Sequence, residues 1–160
     1  MDAPFRIYYQ SPIGLVEIAG TDAALTGLNF VESRPRKPGD EPLLLRDALR
    51  QIDEYFLGRR TEFSVPLKTE GTPFQEDVWR ALRGIGYGMT ASYQDIARTI
   101  GRPDAVRAVG AANGANPISI IIPCHRVIGK DGRLTGYGGG LWRKEWLLHH
   151  EQNGRGPLFA

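Results

Sequence analysis

The chain of 160 residues has little of what builds crosslinked or metal-stapled folds. It has one cysteine, Cys124. That excludes an internal disulfide and a zinc cage built of thiolates. Its three histidines are His125, His149 and His150, so a structural metal site is not expected. No apolar run approaches the ~20 residues of a membrane-spanning helix, which argues against a membrane role. The N-terminal Met1-Asp-Ala-Pro-Phe lacks the basic flank and apolar stretch of a secretory signal. The expected compartment is the cytoplasm. Internal repeats and low-complexity segments are also missing.

What is present suits a globular protein. The chain is 41% hydrophobic and 24% charged, which is too apolar for a largely disordered one. The net charge of +2 hides an asymmetry. Residues 1–70 carry 9 basic and 11 acidic side chains, and residues 71–160 carry 11 and 7. The second part is therefore the plausible partner of a polyanion, although a solvated basic surface has the same composition.

The pattern predicts two domains with a boundary near residue 70 and a mixed α/β (α+β) fold. In the first, residues 5–10, 13–20 and 24–31 are short β-rich runs broken by Ser11-Pro12 and Gly20-Thr-Asp, as in an antiparallel meander. Residues 33–42 hold three prolines and no apolar side chain, the composition of a surface loop. Leu45, Leu49, Ile52 and Phe56 then mark one helical face, with Gly58 at its C-terminal end. The alternation from Thr61 to Leu67 predicts a fourth strand.

From residue 71 the character is helical. Thr72-Pro-Phe-Gln is a capping box with proline at the first helical position, and Phe74, Val78 and Leu82 follow as a stripe. Ser92-Tyr-Gln-Asp caps a short helix through Ile96, Ala97 and Ile100, and Gly101-Arg-Pro stops it. A second helix over 104–113 follows at once. The pair fits a helix-turn-helix motif or an ordinary helical hairpin. The second helix is nearly bare, with Ala105, Ala108, Gly110, Ala111, Ala112 and Gly114. Small side chains let a backbone approach another surface closely. Val106 and Val109 are its expected core anchors. Arg107, the one long side chain, is either a solvated residue or a probe for a groove.

The chemistry centres on Ile118-Ser-Ile-Ile-Ile-Pro-Cys-His-Arg-Val. The apolar run reads as a buried strand ending at Pro123, just before the thiol. Cysteine is a nucleophile as thiolate, and a neighbouring histidine or cation promotes that form. Adjacent residues on an extended chain face opposite ways, so a turn or a bridging water is needed for Cys124 to reach His125. The plain alternative is a small buried hydrophobe. Gly136-Tyr-Gly-Gly-Gly is no dinucleotide fingerprint, because Leu141 stands where a third glycine is required. It reads as a flexible cover, with Tyr137 able to lie on a ligand. A last helix from Arg143 carries Trp146 and Leu147 as expected core anchors, and Glu151 either orients a histidine or faces water.

Together these segments resemble the O6-alkylguanine-DNA alkyltransferases. The likeness rests on Pro123-Cys-His-Arg-Val, Gly136-Tyr-Gly-Gly-Gly and Lys144-Glu-Trp-Leu-Leu-x-x-Glu. It extends to Gly71-Thr-Pro-Phe-Gln, Ser92-Tyr-Gln, Ala105-Val-Arg-Ala-Val-Gly and Asn116-Pro. It is dense from 71 to 151 and weaker but compatible in the first domain, which the resemblance makes a supporting one.

The resemblance implies direct repair of double-stranded DNA. A damaged guanine is flipped out, and its alkyl group moves irreversibly from O6 to Cys124, with O4 of thymine a further conceivable donor. Flipping is how chemistry reaches an atom inside the base stack. The resemblance places Cys124, a water, His125 and Glu151 in an activating network, and Asn116 as a brace of the active-site turn. Tyr93 donates a proton to the guanine ring, which helps O6 to leave. Substrate recognition falls to Tyr93, Cys124, Val127, Tyr137 and Gly138, the last replacing a serine found in some members. The helix with Ala105, Ala108 and Ala112 enters the minor groove, unlike the usual major-groove docking. Arg107 fills the space of the flipped base. The product thioether resists water, so each molecule acts once. No cofactor, metal or obligate protein partner is implied; cooperation of copies along DNA is left open. The alternatives are an alkyltransferase-like damage-binding protein, which lacks the cysteine, a transcription factor, and a cysteine hydrolase.

Overall fold

The computed structural model describes residues 5–33 and 41–153, and the chain separates into two compact units, residues 1–69 and 70–160. The expected loop over 33–42 lies largely outside the described residues.

The first unit is an antiparallel meander of β1 (Phe5–Ser11), β2 (Gly14–Gly20) and β3 (Leu25–Val31), in the order β1-β2-β3. Period-2 alternation puts Ile7, Ile18 and Leu28 side by side in register, and all three are buried. Helix α1 (Leu43–Phe56) lays Leu45, Ala48, Ile52, Tyr55 and Phe56 into this unit's core. Its stripe follows the helical period, so burial of one face rather than propensity holds it. Gly20 sits at a bulge where an added Cβ would lie 2.7 Å from the Ala24 carbonyl oxygen; only glycine permits that approach.

The expected strand from Thr61 to Leu67 is reduced to one parallel bridge, Leu25 to Leu67. The reason is local. Ser64 N–H donates to Gln51 Oε1 at 2.9 Å, so a buried helix side chain takes the group a ladder would need. Pro66 has no N–H to offer.

The second unit is mainly helical. It contains α2 (Pro73–Leu82), β4 (Ala91–Ser92), α3 (Tyr93–Thr99), α4 (Val106–Gly114), β5 (Val127–Ile128) and α5 (Leu141–Asn153). Both expected caps form: Thr72 and Gln75 close a capping box on α2, and Ser92 and Asp95 close one on α3. The turn from α3 to α4 passes through Gly101 at φ 74°, where L side chains are strained. Trp79 on α2 donates its indole N–H to the Ala112 carbonyl at 2.8 Å and ties α2 to α4 inside this unit. The two-residue strands β4 and β5 pair in parallel, Ala91 with Val127. No helix among the described residues is long and apolar enough to cross a membrane.

Two expectations change here. Helix α4 starts at Val106 rather than 104, because Ala105 is its N-terminal cap and has no side-chain bond to give. The run 118–122 is not a strand. It is a pair of tight buried turns, with Ile122 N–H on the Ile118 carbonyl (3.0 Å) and Ile120 at φ 71°. A β-branched residue in the left-handed region is strained, so the surroundings must impose it.

Candidate active site

The strained turn has a visible brace. Asn116 donates from Nδ2 to the Ile122 carbonyl (2.7 Å) and accepts Ile118 N–H on Oδ1 (3.0 Å), so one side chain pins both ends. Asn113 on α4 donates to the Cys124 carbonyl at 3.3 Å. Pro123 then leads into a 3-10 turn, Cys124–Arg126, instead of an extended chain. Cys124, His125 and Arg126 are all buried there.

Beyond the thiol lies a closed set of ionic hydrogen bonds. His125 Nε2 is 2.6 Å from Glu151 Oε2. Arg126 grips the same carboxylate twice, Nε to Oε1 at 2.8 Å and Nη2 to Oε2 at 3.0 Å, and its Nη1 donates to the Ile85 carbonyl at 2.6 Å. Gly88 N–H adds a longer bond to Glu151 at 3.3 Å. His125 and Glu151 are fully enclosed. Burial alone would raise the Glu151 carboxyl, but His125 and Arg126 hold it well below the usual carboxylate range. Glu151 is thus an anion, and His125 must donate to it from Nε2. The imidazole keeps its other nitrogen, Nδ1, unprotonated; this atom is buried and bonds no protein atom among the described residues. Burial also lowers His125, against the pull of Glu151, so the ring stays neutral and able to accept a proton. Burial pushes the Cys124 thiol up, while the Asn116 side chain and the Lys144 charge pull it back. The arrangement is a buried thiol with a neutral base whose far side is fixed by an anion.

A second group joins Tyr93, at the start of α3, to Lys144, on α5, whose charge acts on Cys124. The Tyr93 hydroxyl is 2.5 Å from Thr135 Oγ1. Lys144 Nζ donates to the Thr135 carbonyl at 3.2 Å and lies 6.0 Å from the centre of the Tyr93 ring. Val127 is buried on β5. Tyr137 is half-buried, with its hydroxyl enclosed near the Ser119 side chain. Gly138 lies exposed in the same loop. Among the described residues no cluster of three or more His, Cys, Asp or Glu could hold a metal ion.

Arg107 and Ala108 are exposed on α4, with Ala111 and Gly114 continuing the same open face, and Ala105 is half-buried at the cap. Ala112 does not belong to that face. It is 3% exposed, and its carbonyl is held by Trp79. On a helix of small residues, hydropathy gives no contrast to tell the inner alanine from the outer ones. Trp146 is likewise half-buried, stacked on His150 at 4.8 Å, while Leu147 and Leu148 fill the core. The sequence reading gave no role to Lys144, Thr135 or Asn113. A signal existed for Lys144: with Leu147, Leu148 and Glu151 it falls at i, i+3, i+4 and i+7, on the buried stripe of α5.

Comparison with known proteins covers both units. Residues 73–153 match the family model described as 6-O-methylguanine DNA methyltransferase, DNA binding domain. Residues 5–69 match that of the ribonuclease-like domain of the same methyltransferase. A methylated-DNA–protein-cysteine methyltransferase of Mycolicibacterium paratuberculosis is 52% identical over 146 residues, covering 89% of this chain and 88% of the relative. One of Methanosarcina barkeri is 49% identical, over 92% and 98%. The crystal structure of Mycobacterium tuberculosis OGT in complex with DNA superposes with a TM-score of 0.84 at 51% identity, over 92% of each chain.

Proposed function

Because this chain belongs to the 6-O-methylguanine DNA methyltransferase family, we propose that it repairs double-stranded DNA directly, by moving an alkyl group from O6 of guanine to Cys124. The observation that carries the reading is the buried relay behind the only thiol: His125 2.6 Å from a Glu151 carboxylate that Arg126 holds twice. A lone buried cysteine would not need a fixed, neutral base beside it.

In the proposed step His125 Nδ1 takes the thiol proton through a water, and the imidazolium is balanced by Glu151. The Cys124 sulfur attacks the alkyl carbon, and the carbon–O6 bond breaks. Tyr93 gives a proton to the guanine ring as that bond's electrons return to the base. The proton held by His125 later restores the Tyr93 hydroxyl through solvent, so thiol and alkylguanine become thioether and guanine. Backbone groups at Cys124, Val127 and Gly138 read the base edge, and Tyr137 covers it. A thioether has no hydrolytic exit, so the protein is consumed.

The base must leave the stack to meet a buried thiol. The open face of α4, with Ala108 beside Arg107, is suited to close approach in a groove, and the guanidinium can stack in the space left by the base. Ala112 has no part in this face. The same chemistry extends to O4 of thymine, with the guanine-edge contacts favouring guanine. A reduced cysteine that acts on chromosomal DNA fits the cytoplasm.

The test is incubation with excess duplex carrying radiolabelled O6-methylguanine. Label should pass to protein and stop at one methyl per chain. Continued turnover would indicate a hydrolase, and lesion binding without transfer would indicate a damage-recognition protein.

A further inference from the structure

The loop between β5 and α5 has no helix or strand, yet Thr135 within it is held twice. Its hydroxyl meets the Tyr93 hydroxyl at 2.5 Å, and its carbonyl accepts Lys144 Nζ at 3.2 Å. Lys144 is fully enclosed, and its ammonium stands 6.0 Å from the Tyr93 ring centre. The same ring also adjoins α4: a Cβ added at Gly110 would lie 3.9 Å from Tyr93 Cδ1 and Cε1. The phenol is therefore fixed by a bare helix, a loop hydroxyl and a buried cation.

We propose that Thr135 is a positioning residue for alkyl transfer, acting through Tyr93 on the leaving-group side of the reaction. Resting on the reading above, Thr135 Oγ1–H donates to the Tyr93 oxygen, which aims the phenolic proton away from the loop and toward the base. As the sulfur–carbon bond forms and the carbon–O6 bond breaks, that proton passes to the guanine ring. The phenolate left behind keeps the Thr135 hydrogen bond, which strengthens as its acceptor becomes charged. Lys144 serves the same end twice, by anchoring the Thr135 backbone and by setting a positive charge near the developing anion. The site then has two separate proton paths, His125 with Glu151 for the thiol and Tyr93 with Thr135 for the base.

The experiment is single-turnover transfer from an O6-methylguanine duplex, with duplex affinity and melting measured on each variant. Thr135→Val removes the hydroxyl at constant shape and should slow transfer about tenfold, with affinity unchanged. Thr135→Ser should recover most of the rate, since it keeps the hydroxyl. In a Tyr93→Phe background Thr135→Val should add nothing, because its effect runs through the phenol. Thr135→Ala gives the same comparison if valine disturbs folding. Wild-type rate in Thr135→Val, equal slowing by Ser and Val, or an undiminished effect without the Tyr93 hydroxyl would each overturn the role. Wild type that moves no methyl would overturn the parent reading as well; wild-type transfer with full activity of the Val variant overturns this inference alone.

Discussion

The two units bury different things. The first encloses Ile7, Ile18, Leu28, Leu45 and Ile52, and its only buried polar side chains among the described residues are Ser11 and Gln51. Its ion pairs are on the surface, as where Arg50 and Arg60 meet Glu54. The second encloses Asn113, Asn116, His125, Arg126, Lys144 and Glu151. Burying an ion pair rarely stabilises more than a well-packed apolar group would, and losing one partner is costly. Such a cluster is therefore weak as a stability device and strong as a way to fix one base beside one thiol. The first unit is held by apolar packing, and the second buries a polar and charged cluster that includes the chain neighbours of Cys124.

Breaking the cluster should separate the units most sharply at the nucleophile. Cys124→Ala should abolish methyl transfer while melting and duplex binding persist; residual transfer in a label assay would assign the nucleophile elsewhere. Next in size is Glu151→Gln. It leaves Arg126 buried against a neutral amide and should destabilise the protein by about 3–5 kcal/mol in denaturant titration. Transfer should also slow by about 10²–10⁴, since the imidazolium loses its counter-charge. The matched change on the other unit, Glu54→Gln on α1, should leave melting and transfer nearly unchanged, because its partners are solvated. If the two variants melted alike, the contrast between the units would fail.

Arg107→Ala should slow transfer from duplex by about 10- to 100-fold, the scale of part of a few kcal/mol of unstacking, and hardly affect reaction with free O6-alkylguanine base. Equal slowing would remove its role in flipping. The smallest effect is in pH. With His125 lowered by burial, the transfer rate should stay flat through the ordinary imidazole range near about pH 6.5. Stability should instead fall on acidification. Below that range the unfolded His125 binds a proton that the folded one refuses, and at lower pH the same holds for Glu151. Both groups push the same way, so melting against pH should decline through both windows. A transfer rate that halves near the ordinary histidine value would contradict the buried neutral base.

Much of this was legible before the structure. The strands, the α1 face and both capping boxes follow from alternation, helical period and cap chemistry, all of which are local. The turn at 118–122 was not legible, because four isoleucines within five residues carry a strand signal whatever their φ, and Asn116 imposes the turn from outside the run. Cys124 and His125 stood out as rare residue types, whereas Glu151, one of nine glutamates, was marked by its place in the last helix and by the family resemblance. Their geometry did not, since Cys124 and His125 lie in a 3-10 turn rather than on an extended chain. Thr135 gave no signal at all: its partners Tyr93 and Lys144 come from α3 and α5, and only folding brings them together.

The measurement that bears most directly on the account is intact mass followed by peptide mapping after exposure to an O6-methylguanine duplex. The account predicts one added methylene per chain, confined to the peptide carrying Cys124. A methyl on any other side chain, or an unmodified protein after the guanine has been restored, would contradict it.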